Sequence, residues 1–274
     1  MTNIRCDGQE GASQGGSVPG SRRKELVATN LAVEIGEQVR VIGVVQARLS
    51  SRRLPGKILM RLRDRPSLDH LIEGLSHAAR LDHIVLATSI DPSDTATAEF
   101  AAARGISCHR GPLDDVATRL LQAGEQHQAD AIVRVSGDSP LIDPALIDRA
   151  VELFSEGAAE IVTNVRPRTF PKGQSVEVIA LAALRRAAAR MTTPEEREHV
   201  TPYVYAHPEE YSIRPFVTPD GRPEVQLSID DAEDFARCSA ILEALPGPPW
   251  QVGWRACVAV YDRYMAALGM DGPK

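Results

Sequence analysis

Arg48, Arg52, Arg53 and Lys57 follow at once on the apolar run Val41 to Val45, and Lys57 stands directly after Pro55-Gly56. Cationic side chains in the loop leaving a buried strand can share the charge of a phosphate chain while the loop's backbone N–H groups donate to it. An isolated Arg-Arg pair reads more simply as a solvated turn. Four cations joined to a strand end and a glycine turn favour phosphate, with Lys57 as a mobile point charge and Arg48 and Arg53 as planar bidentate donors. The spacing is not GxxxxGK[ST], and no GxGxxG follows the strand, so neither a P-loop nor a dinucleotide fingerprint is present.

A second cluster, Arg134-Val135-Ser136-Gly137-Asp138-Ser139-Pro140, closes another apolar run. A carboxylate there suits Mg²⁺, which takes oxygen ligands, keeps several waters and bridges phosphates; the duller alternative is that Asp138 shapes a turn. Asp230 and Asp231 follow the run EVQLSI, where one acid can cap a helix and the other ligate. Asp114 and Asp115 precede a helical stretch, either as first-turn acids favoured by the macrodipole or as contacts to ribose or base. Glu195, Glu196, Arg197, Glu198 and His199 read, from periodicity alone, as an exposed charged helix face. There is no Gly-x-Ser-x-Gly, and His70, His77, His83 and His127 fall on expected element surfaces, so a hydrolase mechanism has no support.

The elements that must position these groups alternate. From Val41 the chain runs VIGVVQ, LDHLIEGLSHAAR, HIVLATS, TATAEFAAARG, ISCHR, DVATRLLQAGEQH, AIVRVSGD, PALIDRAVELF and EIVTNV. Strand and helix repeated in this way imply an α/β domain, a doubly wound and mostly parallel sheet with helices on both faces. Such sheets bind ligands beyond the carboxyl ends of their strands, where each polar cluster falls. After Asn164 the alternation breaks. A strand near Ser175 to Ile179, helices, two further strands near Tyr211 to Phe216 and Glu224 to Ile229, and terminal helices are expected, forming a small arm that completes the pocket or a dimer contact. Residues 1 to 38 lack periodicity and aromatic residues and are expected to be a disordered tail. The expected divisions are a nucleotide-binding core over 39–163, an acceptor or dimer arm with return strands over 164–230, and C-terminal helices over 231–274.

With 274 residues, 43% hydrophobic and 25% charged, the chain can bury one large core or two modest ones. A net charge of -6 argues against a broad nucleic-acid surface, so the basic loop is local chemistry. Cys6, Cys108, Cys238 and Cys257 are scattered without a CxxC pair, so neither a zinc site nor a disulfide framework is indicated, and reduced thiols in a cytoplasmic protein are expected. No apolar run approaches the roughly 20 residues that span a bilayer, and the N-terminus is too polar for a signal peptide.

QARLSSRRLPGK, HIVLATSIDPSD, RGPLDDV, IVRVSGDSPLIDP, TFPKGQSVEV, EREHVTPYVY and LSIDDAEDF, in that order over about residues 41 to 235, resemble the cytidylyltransferases of the spore-coat polysaccharide biosynthesis protein F type. That family is a branch of the group containing the CMP-Kdo and CMP-sialic acid synthetases. The resemblance implies a Rossmann-like fold of the nucleotide-diphospho-sugar transferase type. It also implies a triphosphate signature at Arg48, Ser51, Arg53 and Lys57, with Gln46 and Ala47 beside it. Ala87, Thr88 and Ser89 fall where the family lines the base and ribose pocket, and Asp115, Arg119, Ser136 and Gly137 fall on nucleotide-side segments. Asp138 matches the metal-binding aspartate and Asp230 the second acidic position. Glu177, Arg197, Glu198 and His199 fall on the acceptor-side arm.

Two departures bear on the acceptor. Lys172 and Ser175 occupy places that are acidic in the family pattern, exchanging negative charge for positive near the acceptor. The resemblance therefore implies a Mg²⁺-dependent enzyme, with Lys57, Arg53 and Asp138 catalytic, that moves CMP from CTP to an acidic sugar or similar small anionic acceptor. A homodimer is expected. The alternatives are a nucleotidyltransferase with a phosphonate or phosphosugar acceptor or with another nucleotide, a glycosyltransferase on the same fold, and a nucleotide-binding or assembly protein without turnover. Glycosyltransferases typically use Asp-x-Asp after a central strand, where this chain has Gly-Asp-Ser.

Overall fold

The computed structural model describes residues 39–269; the expected tail over 1–38, with Cys6, lies outside the described residues. In chain order the elements are β1 (Val41–Gln46), β2 (Arg61–Leu62), β3 (Arg65–Pro66), α1 (Ser67–Ser76), β4 (His83–Ser89), α2 (Thr95–Ala103), β5 (Ser107–Gly111), α3 (Val116–Gln126), β6 (Ala131–Ser136), α4 (Pro144–Ser155) and β7 (Ile161–Thr163). They continue through β8 (Glu177–Ala180), α5 (Leu181–Arg190), α6 (Pro194–His199), α7 (Thr201–Ala206), β9 (Ile213–Pro215), α8 (Ala232–Ala244) and α9 (Pro249–Ala267).

Seven strands form one sheet in the order β5-β4-β1-β6-β8-β7-β9. Strands β5, β4, β1 and β6 are parallel, as the alternation predicts. Strand β8 runs antiparallel to both β6 and β7, while β9 is parallel to β7. Side-chain alternation on β1 explains the two layers: Val41 and Val45 join Leu68, Leu71 and Leu75 of α1, whereas Ile42 and Val44 join Val116 and Leu120 of α3. Both faces are covered, as a parallel sheet requires.

The expected strand over Glu224 to Ile229 is not formed. Only Lys172 and Gln226 make an isolated bridge there, with Lys172 N donating to the Val225 carbonyl at 2.9 Å and Leu227 N donating to that of Lys172 at 2.8 Å. The alternation in VQLSI arises because Val225, Leu227 and Ile229 are buried while the backbone turns to the sheet's carboxyl edge, where Ile229 N donates to the Asp138 carbonyl at 2.9 Å. The expected terminal helices are α8 and α9. The latter is broken at Gly253 (φ 79), and Asp143 joins the break to α4 by accepting from Ala145 N at 2.9 Å and Trp254 N at 3.0 Å.

Cys238 and Cys257 lie within α8 and α9 and are fully buried. Burial pushes both thiols up to about 12. In the native protein at pH 8, neither should take an alkylating label over an hour, whereas both should be modified after denaturation, as peptide mass mapping would show. Rapid native labelling of either would contradict the burial. The folded pKa of each thiol lies above its unfolded value, so their neutral forms favour the fold below about pH 8.5, and that contribution declines as pH rises toward 12.

Candidate active site

A cavity of about 500 Å³ opens beyond the carboxyl ends of β1 and β6, within the size range of small-molecule sites. Gln46 and Ser136 close these strands in register, and Gly137 brings the two chains together: a Cβ there would lie 3.0 Å from both the Ala47 Cβ and the Gln46 carbonyl.

The basic loop crosses the cavity with its backbone anchored from beneath. Leu49 N donates to Asp94 Oδ1 at 2.6 Å, and Gly56 N donates to the Leu49 carbonyl at 3.0 Å while adopting φ 73, a conformation that favours glycine. Lys57 is thereby directed inward, its side chain 11% exposed, where Nζ donates to Asp138 Oδ2 at 2.9 Å, the Ile229 carbonyl at 2.5 Å and Asp230 Oδ1 at 3.4 Å. Arg53 pairs with the same Asp230 Oδ1 at 2.9 Å from a largely exposed position. Arg48 pairs with Glu198 of α6 at 2.5 Å, and this hydrogen bond holds the Glu198 carboxyl below its ordinary range.

Asp230 and Asp231 divide their tasks. Asp231 caps α8 by accepting from Asp234 N at 2.9 Å. Asp230 faces the cations, with its own N donating to Asp234 Oδ2 at 2.8 Å and its Oδ2 accepting from Gln226 Nε2 at 3.3 Å. Asp138, Asp230 and the Ile229 carbonyl form a set of hard oxygen donors that fits Mg²⁺ or Mn²⁺. No group of three or more His, Cys, Asp or Glu converges to hold a metal among the described residues, so an ion on these donors would complete its shell with water and phosphate oxygens.

Gln46, Ala47, Arg48, Ser51, Arg53, Lys57, Arg119, Ser136, Gly137, Asp138, His199 and Asp230 all line the cavity. Arg119 does so from near-complete burial. Its Nη1 donates to the Pro112 and Leu113 carbonyls, its Nε has no partner among the described residues, and desolvation lowers the guanidinium's pKa.

Other expected residues lie away from the cavity. Thr88 and Ser89 are fully buried, and the Ser89 hydroxyl donates to Asp94, so Ser89 supports the basic-loop backbone through that carboxylate. Asp115 caps α3, accepting from Thr118 N at 2.8 Å, and pairs with Arg197 at 2.8 Å; this pair ties α6 to the start of α3. Lys172 is exposed on its backbone bridge, and Ser175 accepts from Arg168 at 3.1 Å. Glu177 is buried and bonded to Arg134 at 2.7 Å and to the Tyr205 hydroxyl. Desolvation raises the Tyr205 pKa, so it remains a donor at any physiological pH. The expected acceptor-side set therefore splits, with Glu198 and His199 lining the cavity and Lys172, Ser175, Glu177 and Arg197 outside its lining.

Sequence reasoning assigned no role to Arg134, which lines the cavity and links three elements. Its Nε donates to Gln46 Oε1 at 2.9 Å, and its Nη1 donates to Glu177 Oε2 at 2.7 Å and Thr201 Oγ1 at 3.1 Å. The signal was an arginine inside the run AIVRV. Because the two side chains are only 15% and 6% exposed, Arg134→Met should destabilise the fold by about 3 kcal/mol by leaving a buried carboxylate without its cation. Adding Glu177→Gln should restore much of that loss, a coupling that a double-mutant cycle from denaturant melts would measure; strict additivity would argue against the pair.

Parallel strands with a cation- and carboxylate-lined cavity at their carboxyl ends form the Rossmann-like arrangement of a nucleotidyltransferase. The chain belongs to the cytidylyltransferase family, which it matches over residues 42–242. It is 35% identical over 199 residues to an uncharacterized protein of Methanocaldococcus jannaschii, covering 72% of this chain and 81% of that protein. It is 27% identical over 209 residues to the spore coat polysaccharide biosynthesis protein SpsF of Bacillus subtilis, covering 74% and 86%. A 3-deoxy-manno-octulosonate cytidylyltransferase of Myxococcus xanthus is 29% identical over 218 residues, covering 77% and 87%. The solved structure of a cytidylyltransferase from Leptospira borgpetersenii superposes with a TM-score of 0.80 at 28% identity, covering 86% of this chain and all of that one. No described helix is long and apolar enough to cross a membrane.

Proposed function

We propose that this enzyme transfers CMP from CTP to a small anionic acceptor, an acidic sugar or a compound of similar charge, with release of pyrophosphate. The carrying observation is the convergence of Arg48, Arg53 and Lys57 on one cavity with Asp138 and Asp230. Among the relatives, the activity named for the Myxococcus xanthus protein supports an acidic sugar as acceptor.

In this reading an acceptor oxygen bonds to the α-phosphorus. The bond from that phosphorus to the oxygen bridging the β-phosphate breaks, and pyrophosphate leaves with the electron pair; a hydroxyl acceptor's proton passes to solvent. Arg48, Arg53 and Lys57 neutralise the leaving group, and Asp138 and Asp230 would hold Mg²⁺, which supplies further charge stabilisation when bound. Arg119, Gln46 and Ser136 face the nucleoside, while Arg134 and His199 line the acceptor side. Positioning and electrostatics carry the rate, since phosphoryl transfer asks little covalent work of the protein.

The test is a pyrophosphate-release screen with Mg²⁺, each of the four nucleoside triphosphates, and a panel of sugar acids, phosphosugars and phosphonates. Release with CTP and an acidic sugar is expected. Silence with CTP across the panel, or equal use of all four nucleotides, would overturn the assignment.

A further inference from the structure

The oxygens suited to a divalent ion are already occupied by a cation of the protein itself. Lys57 Nζ lies 2.9 Å from Asp138 Oδ2, 2.5 Å from the Ile229 carbonyl and 3.4 Å from Asp230 Oδ1, so its three N–H donors meet three acceptors from two distant segments. Arg53 adds a second cation on Asp230 Oδ1 at 2.9 Å. The two carboxylates are thus balanced by two cations, and an arriving divalent ion would meet an ammonium in its place and an excess of positive charge.

We propose that Lys57 is a placeholder for the divalent metal: it holds the Asp138–Ile229–Asp230 oxygens while the nucleotide is absent, and metal enters only when a triphosphate draws the ammonium away. This inference rests on the metal-nucleotide reading of the site and adds the order and coupling of binding. The side chain is built for such a transfer, since an ammonium on a flexible four-carbon stem can move between acceptors without remaking a planar fork, as a guanidinium must. The donor set alone also makes a poor cage, because no third acidic, His or Cys ligand joins it among the described residues. Phosphate oxygens therefore supply both the missing metal ligands and the new partner for Lys57. Linkage makes the coupling reciprocal: metal must strengthen nucleotide binding by the factor by which nucleotide strengthens metal binding.

The experiment measures Mn²⁺ binding by electron paramagnetic resonance, with no nucleotide, in the wild-type protein, Lys57→Met and Lys57→Gln. Removing the ammonium should tighten binding of Mn²⁺ alone by about 5–150-fold, the usual span of such couplings. Titration with a non-hydrolysable α,β-methylene analogue of CTP should then show strong mutual enhancement between Mn²⁺ and analogue in the wild type, and markedly less in either variant. Equal or weaker Mn²⁺ binding by a folded variant would overturn the proposal, as would independent binding of Mn²⁺ and analogue in the wild type, a measurement that needs no substitution. The Mn²⁺-alone arm reads Lys57 even if no acceptor is ever found. Failure of the analogue to bind the wild type with Mn²⁺ present would instead remove the functional reading.

Discussion

Asp138→Asn should lower metal-dependent pyrophosphate release by at least about 10²–10³-fold, the cost of removing one well-placed electrostatic contact from a transition state. The substitution is nearly isosteric, so the fold has little reason to respond. The main-chain carbonyl that accepts from Ile229 N at 2.9 Å is untouched, and Gly137 beside it retains its tight approach to Ala47. What changes is the charge at Oδ2, which Lys57 meets at 2.9 Å in a site whose Asp138 side chain is only 21% exposed. An amide oxygen is a weaker ligand for a hard cation and a weaker partner for an ammonium, so Mn²⁺ affinity in the presence of nucleotide should fall with turnover. The check combines a thermal melt, expected within a few degrees of the wild type, with initial rates over a range of Mg²⁺ concentrations. A folded variant with full metal-dependent turnover would show that Asp138 only shapes a turn.

The parts of this site that could be read in the sequence are those whose logic is local. Four cations after an apolar strand, the last directly after Pro55-Gly56, place themselves at a strand's carboxyl end, and Asp138 beside Gly137 closes a second apolar run at that same edge. Local pattern fails where a side chain's role depends on what packs beside it. HIVLATS ends in two hydroxyl residues, yet only the packing of Asp94 under the loop shows that Ser89 points into the protein rather than at a ligand. Glu177 and Arg197 carry the right chemistry, but their partners Arg134 and Asp115 lie 43 and 82 residues away in sequence and hold them outside the cavity lining. The alternation of Val225, Leu227 and Ile229 was sound as a burial pattern and misleading as a strand, because periodicity reports which side chains are inside and not whether a neighbouring backbone is free to pair. Fold class was the most legible feature, since it depends on summed alternation rather than on any single contact.

Gly173→Ala should be the most damaging single-methyl change near the site. Gly173 has φ 91, which costs a residue bearing a Cβ about 1–3 kcal/mol. Its added methyl would lie 2.6 Å from the Leu227 carbonyl carbon, 2.7 Å from Ser228 N and 2.8 Å from the Leu227 oxygen. All three are backbone atoms, so no side chain can rotate away, and overpacking of this kind adds about 1–3 kcal/mol. Neither wall can yield easily. Lys172 N donates to the Val225 carbonyl at 2.9 Å and Leu227 N to the Lys172 carbonyl at 2.8 Å, and the neighbouring Gln174 side chain donates to the Leu141 carbonyl at 2.6 Å and accepts from Asp143 N at 2.9 Å. The combined loss should lower Tm by roughly 5–20 °C in a domain of this size. Any relaxation that spares the turn must displace Ser228, and with it the Ile229 carbonyl and Asp230 that face Lys57. Protein that remains folded at low temperature should therefore bind Mn²⁺ and nucleotide more weakly than the wild type. Calorimetry and the Mn²⁺ titration together decide the matter: an unchanged Tm with unchanged metal binding would mean that the turn at Gly173 is softer than its contacts indicate.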